Sequence, residues 1–171
     1  ASFSHIYQVK EIQGVTFRVA PAEQSGIASK SLDLITVAQA LHWFHIAAFF
    51  READRVLKPG GILAVWSYNL LRINPAIDEI INHFYGPVLD KYWPPERVMV
   101  EQGYAGITFA FEEVATPAFA MCQQWNLQQL TGYLGTWSAV ARYRTDSGTD
   151  PLPALAEELA ICWGDPDGAR A

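Results

Sequence analysis

The sequence predicts an α/β fold with a mostly parallel sheet flanked by helices, and three features of residues 32–68 predict it. Residues 32–38, Leu-Asp-Leu-Ile-Thr-Val-Ala, are an apolar run of strand length with several β-branched side chains, the pattern of a strand buried on both faces. From Ile46 the period changes, and Ile46, Phe49, Phe50, Ala53, Val56 and Leu57 fall on one stripe of an amphipathic helix. Lys58-Pro59-Gly60-Gly61 then stops the helix: lysine complements its C-terminal dipole, proline does not continue it, and glycine supplies the left-handed turn. A second apolar strand, 62–68, leaves at once. Strand, helix and strand make a β-α-β crossover, in which the strands are parallel and the connection right-handed.

The remaining elements follow in order. Residues 9–14 read as a helix end, and 15–20 alternate like a strand before Pro21. Residues 25–31 are a polar, flexible connection into the crossover. Asn74-Pro75 opens a helix with an N-cap and a proline at its first position, acids in the first turn, and Ile77, Ile80, Ile81, Phe84 and Val88 along one face. Residues 85–106 are rich in aromatics, prolines and glycines, and predict a lid or insertion within a single domain spanning 1–171. Residues 109–115 and 119–125 are strand candidates. Asn126 caps a helix carrying Leu127, Leu130, Leu134 and Trp137, 142–150 read as a polar loop, and 151–163 form a last helix with Leu152, Leu155, Leu159 and Cys162 in register before Gly164.

Composition narrows the function classes. Half of the residues are apolar, enough for a real core, and the formal net charge is −6 with only 12 Lys+Arg. That sign and the lack of any basic stripe argue against nucleic acid, whose binding rests on phosphate neutralisation. No apolar run approaches the roughly 20 residues of a membrane-spanning helix, so no membrane partner and a soluble, cytoplasmic setting are expected. Cys122 and Cys162 sit among apolar neighbours with no paired spacing, and predict buried free thiols. His42 and His45 lie three apart, but no third ligand stands near them, so no metal site is expected.

Asp33-Leu34 in a strand, Gln39-Ala40-Leu41-His42-Trp43-Phe44 after it, Arg55-Val56-Leu57-Lys58-Pro59-Gly60-Gly61, and Leu63-Ala64-Val65-Trp66 together resemble the second half of a class I S-adenosylmethionine-dependent methyltransferase, most nearly the type 11 group that includes trans-aconitate methyltransferases. The resemblance implies a Rossmann-like sheet, S-adenosyl-L-methionine as cofactor, and a small-molecule acceptor, a carboxylate among the acceptors considered. It also implies a glycine-rich turn and two strands before residue 15. Residues 3–7 resemble the opening of such proteins, so a long segment is expected to be absent between about residues 7 and 10, and a final strand beyond residue 171. The strand order of this fold would otherwise leave two neighbouring strands unpaired.

In open α/β sheets ligands bind beyond the carboxyl ends of the strands. By resemblance, Ala22 and Glu23 lie against the adenine ring, and Gln39 and Ala40 pass under the methionine part of the cofactor. His42 has two readings: an imidazole that accepts a proton or orients an acceptor beside the methyl donor, or a residue that packs the start of the next helix. Trp43 likewise reads as a cation–π wall for the sulfonium or as packing. Tyr68, Arg72, Tyr133 and Trp137 are candidate acceptor-binding residues, with Arg142 and Tyr143 behind them. Trp66 reads as core and His83 as inert. Two other classes stay open: a non-catalytic relative serving as an interaction module, and, more distantly, a nicotinamide-dependent dehydrogenase. Oligomeric state is not legible.

Overall fold

The structure, a computed structural model, describes residues 12–170 and divides into two compact units, Ala1–Tyr68 with Gln102–Glu112 and Asn69–Glu101 with Glu113–Ala171. The readings placed on residues 1–11, including the absent segment near residues 7–10, lie outside the described residues.

The first unit is built on the β-α-β crossover. Strands β1 (Leu32–Ala38) and β2 (Leu57–Trp66) pair in parallel, joined by α1 (Ile46–Val56). Phe49, Phe50, Ala53 and Val56 of α1 are buried, the stripe expected from the sequence. The strand register steps from Leu32–Leu57 to Leu34–Ile62, so the Lys-Pro-Gly-Gly residues are looped out of the ladder rather than preceding it. Gly60 supplies a φ of +79°. A Cβ on Gly61 would stand 3.0 Å from the Lys58 carbonyl and 3.2 Å from that of Leu32, both backbone oxygens that cannot rotate away. Lys58 leaves the helix end and reaches both carboxylate oxygens of Asp33 at 2.8 and 2.9 Å. The last carbonyls of α1 are met instead by the amides of Lys30 and Ser31, each at 2.9 Å.

Several expectations give way here. β1 is not buried on both faces: Val37 is buried while Leu34, Thr36 and Ala38 are exposed, and Trp66, expected in the core, is 48% exposed. The alternation has period two, as one covered face requires. Residues 15–20 and 109–115 carry no ladder, the latter bending at 110 and 111, and of 119–125 only Trp125 pairs, in an isolated antiparallel bridge with Arg170. An alternating pattern makes a strand only where an edge is free to pair. Residues 109–111 serve packing instead: Phe109 and Phe111 close on Phe50 of α1 with ring centroids at 5.3 and 5.9 Å.

The second unit is helical: α2 (Pro75–His83), α3 (Arg97–Glu101), α4 (Leu127–Leu134), α5 (Ser138–Ser147) and α6 (Leu152–Trp163). Asn74 caps α2 through the Ile77 amide, with Pro75 at its first turn. Asn126 and Gln129 form a reciprocal capping box on α4. Residues 85–106 contain no strand; they fold as a π-helical turn at Phe84–Val88, a 3-10 turn at Asp90–Tyr92, and α3. The expected loop at 142–150 is largely α5, which buries Ala139 and Val140 and ends on Gly148 at φ +69°. On α6 the inward face is Leu155, Leu159 and Trp163, so the stripe runs one residue past Cys162, and both cysteines are exposed free thiols. These residues join Ile77, Ile81, Phe84, Leu89, Leu130 and Leu134 in one core.

Candidate functional site

The carboxyl end of β1 carries one of the three non-glycine residues with positive φ among the described residues of the first unit, the others being Lys30 and Tyr104. Gln39, the first residue beyond β1, holds φ at +42°, a left-handed conformation that a non-glycine residue rarely adopts. Two hydrogen bonds keep it there: its amide donates to the Trp66 carbonyl at 3.0 Å, and its side-chain Nε2 donates to the Tyr68 carbonyl at 2.6 Å. Gln39 thereby clamps the mouths of the two strands together. Ala40, half-buried, starts the 3-10 turn Leu41–Trp43, whose first bond runs from the Trp43 amide to the Ala40 carbonyl.

Within that turn His42 and Trp43 part ways. His42 is 8% exposed, and its Nδ1 lies 3.1 Å from the Tyr104 hydroxyl, the donor depending on the imidazole tautomer. Tyr104 is itself buried, with φ at +61° next to Gly103. Trp43 is 55% exposed, its ring 4.6 Å from that of His42. Tyr104 was missed as a partner because a sequence separation of 62 leaves no local signal; the Gly103-Tyr104 turn is its one trace.

The turn at Ala22 and Glu23 is brought to the same loop. Glu23 Oε1 accepts from the His45 amide at 2.7 Å, so a carboxylate sits on the residue that caps α1, where the helix dipole favours negative charge. Within the first unit, hydrogen bonds thus tie Glu23 to His45 and Gln39 to Trp66 and Tyr68.

Residues 25–31 are not the flexible connection expected. Glu52, on the inward side of α1, accepts from the Ser25 amide at 2.9 Å and the Ser25 hydroxyl at 2.6 Å. Arg55 grips the same carboxylate through Nε and Nη2, both at 2.8 Å, and reaches the Ile27 carbonyl and Ser29 Oγ. The Arg55 bonds and then those from Ser25 hold the Glu52 carboxyl down at about 2, against an ordinary 4.5. A carboxyl lowered in the folded state stabilises fully above its unfolded value, so this contribution is complete above about pH 5 and fades as pH falls from about 4.5 toward 2. Glu52→Gln should flatten that acid dependence and cost about 2 kcal/mol at neutral pH. Faster hydrogen exchange at the Ser25 amide is the check, and unchanged exchange would contradict it.

Three acceptor-site candidates belong to the second unit. Arg72 is exposed and 3.8 Å from Asp78. Tyr133 packs on Trp125 at 4.9 Å, and Trp137 meets Phe84, Tyr85, Trp93 and Tyr133 in an aromatic cluster. Among the described residues no group of three or more His, Cys, Asp or Glu is placed to hold a metal, and no helix is long and apolar enough to cross a membrane.

Comparison with known proteins bears on the family and the fold. The family described as a methyltransferase domain matches residues 3–65, the stretch that contains nearly all of the crossover. A protein from Dictyostelium discoideum named as a methyltransferase is 32% identical over 170 residues, 98% of this chain and 65% of its own length. A malonyl-[acyl-carrier protein] O-methyltransferase from Dechloromonas aromatica is 35% identical over 68 residues, 40% of this chain and 24% of its own. The chain thus spans less than two thirds of these curated relatives. A solved structure described as a type II methyltransferase from Anaeromyxobacter dehalogenans superposes with a TM-score of 0.88 at 39% identity, over 99% of this chain and 72% of that one. With that likeness along its whole length and the crossover at its centre, the chain belongs to the methyltransferase family, with the Rossmann-like fold of the class I enzymes.

Proposed function

We propose that the protein transfers a methyl group from S-adenosyl-L-methionine to a carboxylate of a small-molecule acceptor. The observation that carries this reading is the strained, doubly bonded Gln39 at the mouths of β1 and β2, with Glu23 tied to the same loop. Backbone held out of its preferred region by surrounding bonds is characteristic of ligand-binding sites. The donor set also suits this cofactor. Glu23 and the Ala22 backbone offer an acceptor and a donor for the edge of an adenine, Gln39 and Ala40 offer the loop on which an amino-acid moiety can lie, and the exposed ring of Trp43 offers a face to a sulfonium.

The cofactor would supply an activated methyl carbon open to in-line displacement. What the chain must then do is bind the acceptor close to that carbon and keep water away. A carboxylate arrives ionised and needs no strong base, in keeping with a His42 that is engaged with Tyr104 rather than presented as a general base. His42 is then a positioning residue for the loop. An oxygen acceptor is in keeping with the name of the Dechloromonas relative, a malonyl-[acyl-carrier protein] O-methyltransferase.

The test is a methyl-transfer assay with labelled cofactor across a panel of small mono-, di- and tricarboxylic acids. Label recovered in a base-labile ester supports the reading; label in a base-stable product, or none, overturns it.

A further inference from the structure

The second unit holds an arginine prepared for a ligand. Arg97, the first residue of α3, is half-buried, with its guanidinium 5.0 Å from the Trp93 ring centroid and 5.4 Å from that of Tyr85. Its Nε donates to the Tyr85 hydroxyl at 2.8 Å, and that hydroxyl donates in turn to Glu101 Oε1. Burial and then the bond to Glu101 push the Tyr85 phenol up to about 12, so the relay keeps its proton across the physiological range. The rings are fixed as well. Trp93 donates its indole N–H to the Tyr85 carbonyl at 2.9 Å, and Trp137 stands edge-on to Tyr85.

What the arrangement leaves open is the fork. Among the described residues, neither Nη1 nor Nη2 of Arg97 has a hydrogen-bond partner, and no carboxylate lies within ion-pair distance of it. Glu101, one helical turn along, is taken up by Tyr85. The other arginines of the second unit are engaged, Arg72 with Asp78, Arg144 with Asp150, and Arg142 and Arg170 with the carbonyls of Tyr92 and Trp163. A planar guanidinium immobilised by two aromatic faces and one hydroxyl, with both terminal nitrogens free, is the geometry that takes a carboxylate in two parallel bonds with little further loss of side-chain freedom.

We propose that Arg97, held between Tyr85 and Trp93, is a binding site of the second unit for a small-molecule carboxylate. Arg97 lies in a stretch whose prolines and aromatics read as an irregular lid, so no local pattern marks it.

The experiment titrates the full chain with malonate at constant ionic strength, followed through Trp93-dependent fluorescence and calorimetry, with inorganic phosphate as a parallel arm. Saturable malonate binding that weakens at least tenfold in both Arg97→Gln and Arg97→Lys is the expected result, since lysine keeps the charge but not the fork. Tyr85→Phe, which frees the guanidinium without removing it, should give an intermediate loss. Equal malonate binding by wild type and the Arg97 variants, no malonate binding, or phosphate bound as tightly as malonate would each overturn the assignment. Binding of S-adenosylmethionine, measured in the same samples, should be unaffected by Arg97→Gln. Its absence from the wild type would sink the methyl-transfer reading separately, whatever malonate does.

Discussion

Trp163→Ala should destabilise the protein by about 3–5 kcal/mol, the largest single loss expected from its core. Trp163 is fully buried at the end of α6, where it completes the face begun by Leu155 and Leu159. Its indole N–H donates to the Gly168 carbonyl at 3.1 Å, and its own carbonyl accepts from Arg170. Arg170 pairs through its backbone with Trp125, so one side chain ties α6 to the following turn and to the chain leading into α4. Truncation therefore removes a large packed volume and an anchor together. Thermal unfolding followed by circular dichroism should show a midpoint lowered by about 10 °C or more. A midpoint within about 2 °C of wild type would contradict the placement of Trp163 at the centre of this core.

Glu23→Ala should weaken S-adenosylmethionine binding by about tenfold or more, the loss expected when a charged acceptor is removed from a ligand. Glu23 also accepts from the His45 amide at the start of α1, so its loss reaches the stability of that helix by about 1 kcal/mol. Glu23→Gln separates the two effects, since the amide oxygen still accepts from His45 but the charge is gone. An affinity loss in both variants, with stability reduced only in the alanine one, assigns Glu23 to the ligand. Unchanged affinity in both would confine it to capping.

The legible parts of this protein are those written in local chemistry. The stripe of α1, the caps at Asn74 and Asn126 and the stop at Gly164 rest on residues within a turn of one another, and the structure has them where the sequence places them. The succession of β1, loop and α1 was legible because the three follow one another without a break. What was not legible depends on distant partners. Residues 15–20 and 109–115 alternate as strands do, yet nothing in their own sequence reveals whether an edge is available. The grip of Glu52 and Arg55 on residues 25–31 spans 26 to 28 positions, and so a polar run was read as loose. Helix α5 was hidden by its polarity, which suits a helix that buries only Ala139 and Val140.

Calorimetric titration of the purified protein with S-adenosylmethionine tests the central claim most directly. One molecule bound per chain with a dissociation constant in the micromolar range, weakened in Glu23→Ala, is the predicted result. No heat of binding with the ligand raised to millimolar concentration, in a protein shown to be folded, would contradict it.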